Sequence, residues 1–276
     1  MATQKTIIIL SVSSDIGLYM AKQYLAQGHR VVGTYRSDEN LSDLKNNPDC
    51  SLFYCDINGR KSVELLIEQL KKAGVVWDIL ISCIGQLTPV VPFFECNFEE
   101  WEESVHINSI DQLRVIHYLY PLRQQKGVSS VVFFAGGAMN NAVVNLSAYT
   151  ISKIMLAKMC EFLDAENKDM NIFIVGPGWT KTKIHQQVLD DPRSAKAKVD
   201  ETQNALRDKE GTPPEDIFAC IDLFCQQGKS VAGGRNFSVV FDPWKGDTVE
   251  SLLAELKKDG NMYKLRRHKN EFMQKL

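Results

Sequence analysis

Short apolar runs alternate with longer segments of mixed polarity along most of the chain. The runs are rich in β-branched residues and apolar at successive positions, which is typical of strands in a parallel sheet covered on both faces. The segments between them have the apolar periodicity of helices. The predicted strands span residues 6–12, 30–35, 51–55, 79–83, 130–135, 171–175 and 236–241, and the predicted helices span 16–27, 60–73, 98–125, 148–167 and 214–227.

The alternation of strands and helices predicts an α/β fold. Strands that are joined through helices form a doubly wound parallel sheet, here of about seven strands, with helices on both faces. No repeat, low-complexity tract or linker divides residues 1–276, so we expect a single domain.

Two segments do not follow the alternation. Residues 181–211 are polar, charged and only weakly periodic, and a connection of this length often covers a site, so we expect a lid. The C-terminal extension, from about 243 to 276, has helical periodicity at 248–258. It is expected either to cover a contact between subunits or to pack on the core.

Composition and charge argue against several classes of protein. Hydrophobic residues make up 44% of the chain and the formal net charge is −2, which gives no indication of a nucleic-acid or membrane partner. The first apolar run is too short to span a bilayer. The seven cysteines include no C-x-x-C pair, so we expect no metal site, reduced thiols and a cytoplasmic location.

The stretch SAYTISKIM contains a tyrosine and a lysine four residues apart, Tyr149 and Lys153. On a helix this spacing places both side chains on one face. The positive charge of the lysine favours the phenolate, which lowers the pKa of the tyrosine and makes it an acid/base group near neutral pH. The alternative is a pair that only packs in the core, although lysine is rarely buried without a partner.

Asn108 lies inside the predicted helix at 98–125. A buried asparagine in the middle of a helix is unfavourable unless its side chain is paired. Asn108 is therefore predicted either to hold a water near Lys153 or to satisfy a polar contact in the core.

The turn LSVSSDIG follows the first predicted strand and opens the first predicted helix. A strand, a tight turn and a helix N-terminus form a cradle for pyrophosphate, and glycines let the backbone approach it. Gly17 is present, but Ser11 and Asp15 stand where such a motif usually has two further glycines. The alternative is an ordinary turn in which Asp15 caps the helix.

Further candidate cofactor contacts stand at the ends of later predicted strands. Arg36 follows the second strand, where a basic side chain favours the 2′-phosphate of NADP. The alternative interpretation is that Arg36 is only an exposed charge in a loop. Asp56 ends the third, where a carboxylate accepts from an adenine amino group or caps the next segment. Gly85 leaves room for a ribose, and Thr180 and Thr182 reach a carboxamide or phosphate.

In their order and spacing, these pieces resemble the short-chain dehydrogenase/reductase family from Thr6 to Phe241. The resemblance implies a Rossmann-type domain, a small-molecule substrate, and a homodimer or homotetramer, and Arg36 favours NADP over NAD as the cofactor. It implies that Tyr149 is the catalytic acid/base, that Lys153 lowers its pKa and binds the nicotinamide ribose, and that Asn108 holds a proton-relay water. The implied cofactor-binding residues are Ser11, Ser13, Ser14, Asp15, Ile16, Gly17, Arg36, Asp56, Ile57, Cys83, Ile84, Gly85, Tyr149, Lys153, Pro177, Gly178, Thr180 and Thr182.

One departure from the family bears on catalysis. The family's catalytic serine stands thirteen or fourteen residues before the tyrosine, where this chain has Gly136 and Ala135 on the expected substrate side. Loss of one such donor commonly costs ~2.7–4 kcal/mol in the transition state, so the resemblance implies a slow enzyme. The candidate replacements are a water, a substrate hydroxyl, and the side chains of Asn140, Asn141 and Ser147.

Three further stretches, residues 134–138, 241–245 and 262–267, are similar to a bacterial subgroup of the family. Its members often act in surface-polysaccharide pathways, which implies a sugar or nucleotide-sugar substrate. Substrate specificity is expected in Trp179 and in residues 86–94 and 181–211, which match no motif.

Two functional hypotheses follow. In the first, the protein is an NADP-dependent oxidoreductase that reduces a carbonyl or oxidises a secondary alcohol, with Tyr149 as acid/base. In the second, it is a pseudoenzyme that binds a dinucleotide and acts as a sensor or assembly partner. The intact set of Tyr149, Lys153 and Asn108 in the right order favours the first, which is the function we expect. The missing serine at Ala135 and Gly136 and the reduced glycine motif are the reasons for considering the second. A scaffold without a cofactor is a third alternative.

Overall fold

The computed structural model describes residues 3–137 and 139–267 of the 276-residue chain. Seven parallel strands form one sheet in the order β3-β2-β1-β4-β5-β6-β7. The strand order reverses between β1 and β4, which puts the crossover helices on both faces. The predicted doubly wound parallel sheet is therefore confirmed. The strands are β1 (Thr6–Leu10), β2 (Arg30–Tyr35), β3 (Cys50–Tyr54), β4 (Ile79–Ser82), β5 (Ser129–Phe134), β6 (Met170–Gly176) and β7 (Asn236–Ser238).

Helices connect and flank these strands. The α-helices are α1 (Asp15–Ala26), α2 (Ser42–Lys45), α3 (Arg60–Lys72), α4 (Phe98–Val105), α5 (Asp111–Leu119), α6 (Ser147–Glu166), α7 (Gln186–Asp190), α8 (Lys196–Asp208), α9 (Pro214–Gln227), α10 (Lys229–Ala232) and α11 (Val249–Lys258). Shorter turns are the 3-10 turns Phe93–Glu95, Tyr120–Leu122, Lys183–His185 and Gly246–Thr248, and the π-helical turn His106–Ile110. Within the described part of the chain, none of the helices has both the length and the hydropathy needed to cross a bilayer.

The sheet separates two apolar cores, because alternate residues of each strand point to opposite faces. In β1, Ile7 and Ile9 pack with residues of α1, α9 and α11, whereas Ile8 and Leu10 pack with residues of α3, α5 and α6. All four side chains are fully buried. A strand buried on both faces has a continuous apolar sequence, which explains why the run TIIIL identifies it.

Strand boundaries differ from the predicted ones by up to three residues. The largest difference is in β7, which ends at Ser238 rather than at residue 241. Asp242 accepts a hydrogen bond from the Ser238 backbone N–H at 2.7 Å, and the Ser238 hydroxyl accepts one from the Phe241 N–H at 3.1 Å. These bonds close a turn that ends the strand.

The helix predicted at 98–125 is divided in the structure, because the π-helical turn at His106–Ile110 separates α4 from α5. Side chains compete with backbone groups in this turn. Ser109 Oγ donates to the carbonyl of Val105 at 2.6 Å, and Asn108 makes a similar bond one residue earlier. Apolar periodicity does not reveal the break, since it continues on both sides of it.

The 181–211 segment contains more helix than its weak periodicity predicts. It includes the turn Lys183–His185 and the helices α7 and α8. Few residues of α8 are buried, so the apolar pattern that marks a helix in a sequence is missing there. Arg193 joins the segment to α4 through an ion pair with Glu100, with 2.7 Å between Nη1 and Oε1.

The described part of the C-terminal extension packs on the core of its own chain. Leu252 and Leu256 of α11 belong to the core that contains α1 and α9. The buried side chain of Arg235 donates to the carbonyl of Met262 at 2.8 Å. Residues 268–276 of the extension lie outside the described residues.

Candidate functional site

A cavity of about 770 Å³ lies at the carboxyl edge of the sheet, where the loops after β1, β2, β4, β5 and β6 converge. Open parallel sheets form such a crevice where their strand order reverses. Most of the site residues predicted from the sequence lie in its wall: Ser11, Ser13, Ser14, Asp15, Ile16, Arg36, Cys83, Ile84, Gly85, Ala135, Gly136, Tyr149, Lys153, Pro177, Gly178, Trp179, Thr180 and Thr182. The predicted site residues that lie outside this wall are Gly17, Asp56, Ile57 and Asn108.

The loop after β1 presents the N-terminus of α1 to the cavity. Ser14, and not Asp15, is the N-cap residue: its Oγ accepts from the Gly17 N–H at 3.1 Å and donates to the Ser11 carbonyl at 2.8 Å. A Cβ atom on Gly17 would lie 2.4 Å from that carbonyl oxygen, so only glycine fits. Gly17 thus shapes the loop without reaching the cavity.

Asp15 links this loop to the segment after β6. Its carboxylate accepts a hydrogen bond from the backbone N–H of Lys183 at 2.7 Å, although the two residues are 168 positions apart. The carboxylate stands in the first turn of α1, where the helix dipole stabilises a negative charge. The prediction that Asp15 caps the helix is wrong, because Ser14 already holds the orphan N–H group.

Ser11 has a φ of +61°, in the left-handed region that favours glycine. A side chain there costs roughly 1–2 kcal/mol. Ser11→Gly is therefore expected to raise the free energy of unfolding by about 1 kcal/mol, measured by urea denaturation. Ser13→Gly is the matched control, since Ser13 is not in that region and gains nothing from glycine. An equal effect of both variants would contradict strain at Ser11.

The Tyr149–Lys153 pair of α6 forms one wall of the cavity. Lys153 is 1% exposed, its Nζ donates to the Ile84 carbonyl at 3.2 Å, and it lies 5.6 Å from the centre of the Tyr149 ring. Burial lowers the pKa of Lys153 to about 8 and raises the pKa of Tyr149 to about 12. The expected lowering of the tyrosine pKa is therefore not seen, because desolvation of the phenolate dominates.

The end of β5 closes the cavity beside this tyrosine. A Cβ atom on Gly136 would lie 2.7 Å from Cε1 of Tyr149, so a side chain at position 136 collides with the ring. The methyl group of Ala135 packs in the same core as Leu156 and Ala157 of α6. Ala135 therefore faces the side of the sheet that carries the Tyr149–Lys153 pair.

The three side chains proposed to replace the missing hydroxyl do not line the described cavity wall. Asn140 and Asn141 are exposed. The Oγ of Ser147 accepts a hydrogen bond from Nε1 of Trp101 at 3.0 Å. A water and a substrate hydroxyl remain as predicted replacements for the missing serine hydroxyl.

Asn108 is fully buried next to the cavity. Its Nδ2 donates to the carbonyls of Gln86 and Ser104 at 2.8 and 2.9 Å, and its Oδ1 accepts from the Gln86 N–H at 2.9 Å. The side chain thus fixes the chain after β4, which is the polar contact that a buried mid-helix asparagine requires. Its role in holding a water stays a prediction.

Asp56 and Ile57 lie beyond the described cavity wall, at the end of β3. Asp56 Oδ1 accepts from the Asn58 N–H at 3.2 Å, which closes a local turn before α3. Ile57 is buried in the core that contains α3. Their contact with an adenine ring stays a prediction.

Several cavity residues have no motif in the sequence. Trp179 stacks on His185, with 5.3 Å between ring centres and 22° between planes. The 181–211 segment adds polar and charged groups, and the loop after β2 adds two more. These residues are Ser37, Glu39, Lys183, Gln187, Lys198, Glu201, Thr202 and Lys209. The α8 residues of this set are three and four positions apart, which indicates one face of a helix. Because they are polar, the apolar pattern used to predict helices does not reveal that face.

No group of three or more histidine, cysteine, aspartate or glutamate residues able to hold a metal ion occurs among the residues that the structure describes. A dinucleotide, by contrast, fits the residues of this site. The N-terminus of α1 in the cavity wall, and a wall that includes both Arg36 and Tyr149, suit a phosphate-containing ligand.

Comparisons with known proteins agree with this geometry. A family model described as enoyl-(acyl carrier protein) reductase matches residues 11–239. Dehydrogenase/reductase SDR family member 4 of Sus scrofa is 24% identical over 246 residues, 85% of each chain. The NADPH-dependent pterin aldehyde reductase of Arabidopsis thaliana is 22% identical over 185 residues, 65% of this chain and 76% of the relative. A short-chain dehydrogenase/reductase structure from Saccharomyces cerevisiae has the same fold, with a TM-score of 0.76 at 21% identity, covering 87% of this chain and 97% of that one.

Proposed function

Because the chain belongs to the short-chain dehydrogenase/reductase family, whose members bind NAD(P), we propose that it is an NADP-dependent oxidoreductase that reduces a carbonyl or oxidises a secondary alcohol. The observation that carries this proposal is a single cavity that joins the N-terminus of α1 to the Tyr149–Lys153 pair. The helix N-terminus attracts phosphate and the pair supplies a proton, so one cavity holds both requirements of the reaction.

We assign the diphosphate of the cofactor to the loop 11–17 and the 2′-phosphate to Arg36. Arg36 and Ser37 line the end of the cavity after β2, where a guanidinium and a hydroxyl suit a phosphate. Glu39 lies in the same wall and its carboxylate would repel a 2′-phosphate, so the preference for NADP over NAD is expected to be moderate. The NADPH dependence named for the Arabidopsis relative supports this choice.

Titration with NADPH and, separately, NADH tests the cofactor assignment. We expect NADPH to bind at least about tenfold more tightly, which corresponds to about 1.4 kcal/mol from the Arg36–phosphate contact. Nicotinamide fluorescence gives both dissociation constants, and Arg36→Met is expected to abolish the difference by weakening only NADPH. Tighter binding of NADH, or an unchanged ratio in the variant, would contradict the role of Arg36.

In this proposal Tyr149 is the proton donor for carbonyl reduction. When bound, NADPH supplies the hydride that reaches the carbonyl carbon. With a pKa of about 12, Tyr149 is protonated at neutral pH and ready to donate to the carbonyl oxygen. The ammonium of Lys153 stabilises the phenolate that remains. The apolar groups at Ala135 and Gly136 give no further donor, which makes the step slow.

The proposed role of Lys153 predicts a pH dependence. Burial lowers the pKa of Lys153 to about 8, so the ammonium is present below that pH and is lost above it. The kcat/KM for reduction is therefore expected to be flat below pH 8 and to fall as pH rises through that value. Lys153→Met should have a lower kcat/KM and should not show the fall above pH 8. A wild-type profile that stays flat through pH 8, with NADPH saturating, would rule the role out.

A dinucleotide-binding pseudoenzyme is the second candidate function, and the absence of a hydroxyl at positions 135 and 136 favours it. A pseudoenzyme would bind the dinucleotide with the same residues as the oxidoreductase and would differ from it only in having no turnover. A panel of aldehydes, ketones and sugar carbonyls with NADPH separates the two. Tight NADPH binding without oxidation on the whole panel would favour the pseudoenzyme.

We further propose a homodimer or homotetramer. Three exposed apolar side chains of α6, Ile151, Met155 and Phe162, lie at the helical spacings of one face. Light scattering of the purified protein measures the assembly. A monomer at all accessible concentrations would contradict this proposal.

A cytoplasmic location and a sugar or nucleotide-sugar substrate are also proposals. The seven cysteines are unpaired, which supports a reducing compartment. The sugar substrate is supported by the likeness of residues 134–138 and 241–245 to the bacterial subgroup.

A further inference from the structure

Helix α8 turns a polar face toward the cavity. Its lining residues are Lys198, Glu201, Thr202 and Ala205, at helical spacings of three and four, and Lys209 follows the helix end. A helix that covers a purely apolar ligand would place apolar side chains on this face. The charged residues therefore indicate a ligand with a polar or charged group at this end of the cavity.

Lys198 is the best shielded of these charges. Its side chain is 19% exposed, whereas that of its ion-pair partner Glu201 is 65% exposed. The two groups meet at 2.8 Å in an ion pair between residues three apart on α8. The other lysines of this wall, Lys183 and Lys209, are exposed. The charged residues that line the whole cavity are four lysines and one arginine against one aspartate and two glutamates, which is an excess of positive charge.

An aromatic platform, the stacked rings of Trp179 and His185, lines the same cavity as Lys198. His185 Nε2 is 2.9 Å from the Thr180 carbonyl, which can only accept, so Nε2 carries the hydrogen and Nδ1 is left for other contacts. The ring stacks on Trp179, which rests against Gly211. Burial lowers the pKa of His185, the hydrogen bond to the Thr180 carbonyl opposes this, and the Lys198 charge lowers it further.

We propose that Lys198 recognises an anionic group, a carboxylate or a phosphate, on the carbonyl substrate, while the Trp179–His185 stack supports the substrate's body. This assignment rests on the proposed function and specifies its substrate class. An anion next to Lys198 gains a charge-assisted hydrogen bond in a partly dehydrated site. The apolar residues Val143, Leu146 and Val188 line the same cavity.

Three matched aldehydes test the proposal: 4-formylbenzoate, 4-formylphenyl phosphate and the neutral methyl 4-formylbenzoate. With NADPH saturating, kcat/KM for at least one anion is expected to exceed that for the ester by about tenfold or more, the usual worth of a hydrogen bond to a charged group. The anion with the higher kcat/KM shows whether the site prefers a carboxylate or a phosphate. Lys198→Met should remove this preference, because it lowers kcat/KM for the anions more than kcat/KM for the ester. Lys196→Met, an exposed residue of the same helix outside the cavity wall, is the control.

A second readout separates the substrate class from the proposed function. Calorimetry measures binding of each aldehyde to the protein loaded with NADP⁺. Anion binding that depends on Lys198, without turnover, supports the anion subsite and rejects the reductase. If the ester is turned over at the same rate as both anions, the anion subsite is rejected and the reductase function is kept. An equal loss for all three aldehydes in Lys198→Met, or no Lys198-dependent binding and no turnover, overturns the assignment of Lys198.

Discussion

Tyr149→Phe is expected to lower kcat for carbonyl reduction by about 10²- to 10⁴-fold, the usual contribution of a positioned acid or base. The variant keeps the ring that packs against Gly136 and loses only the hydroxyl. The dissociation constant for NADPH is therefore expected to stay close to that of the wild type. NADPH oxidation with a reducible carbonyl measures the first quantity, and nicotinamide fluorescence measures the second.

Tyr54→Phe is the matched control for this prediction. Tyr54 is 55% exposed and lies on β3, away from the described cavity wall. It loses the same hydroxyl without touching the proposed site, so wild-type turnover is expected. Wild-type turnover in Tyr149→Phe as well would show that another group supplies the proton.

Ala135→Ser is expected to raise kcat by about 10²- to 10³-fold, the range that one oxyanion-stabilising donor contributes. Ala135 lines the cavity and faces the side of the sheet that carries the Tyr149–Lys153 pair. A hydroxyl at this position can donate to a substrate oxygen beside the tyrosine. The measurement is kcat for NADPH oxidation under saturating carbonyl, with the wild type assayed in parallel.

Gly136→Ser adds the same hydroxyl one residue later and serves as the comparison. Its Cβ atom would lie 2.7 Å from the Tyr149 ring, so the ring must move. We expect this variant to lose turnover, while Ala135→Ser gains it. A gain in Gly136→Ser with none in Ala135→Ser would mean that the missing donor belongs at position 136 and not at position 135.

The sheet could be predicted from the sequence because its strands are buried on both faces. Such strands have continuous apolar runs, and β2 and α9 have the predicted boundaries. The division of the 98–125 helix could not be predicted, because hydrogen bonds from Asn108 and Ser109 to the backbone cause it. The helix α8 was hidden by the polar residues that it turns toward the cavity.

The candidate site was predicted in part. Local motifs such as the turn after β1 and the Tyr149–Lys153 spacing identify residues that the structure brings into one cavity wall. Contacts between distant segments leave no local pattern, and the bond from Lys183 to Asp15 is an example. The pKa of Tyr149 also depends on burial, which a four-residue spacing does not report.

The most direct test is whether deuterium passes from NADPH to a product. NADPH deuterated at both C4 positions is incubated with the protein and an aldehyde panel that includes 4-formylbenzoate, and the alcohols are analysed by mass spectrometry. We predict one deuterium in the product alcohol, formed at the rate of NADPH oxidation and greatly reduced in Tyr149→Phe. Tight NADPH binding with no deuterated alcohol from any aldehyde would contradict the reductase and leave a protein that binds the dinucleotide without using it.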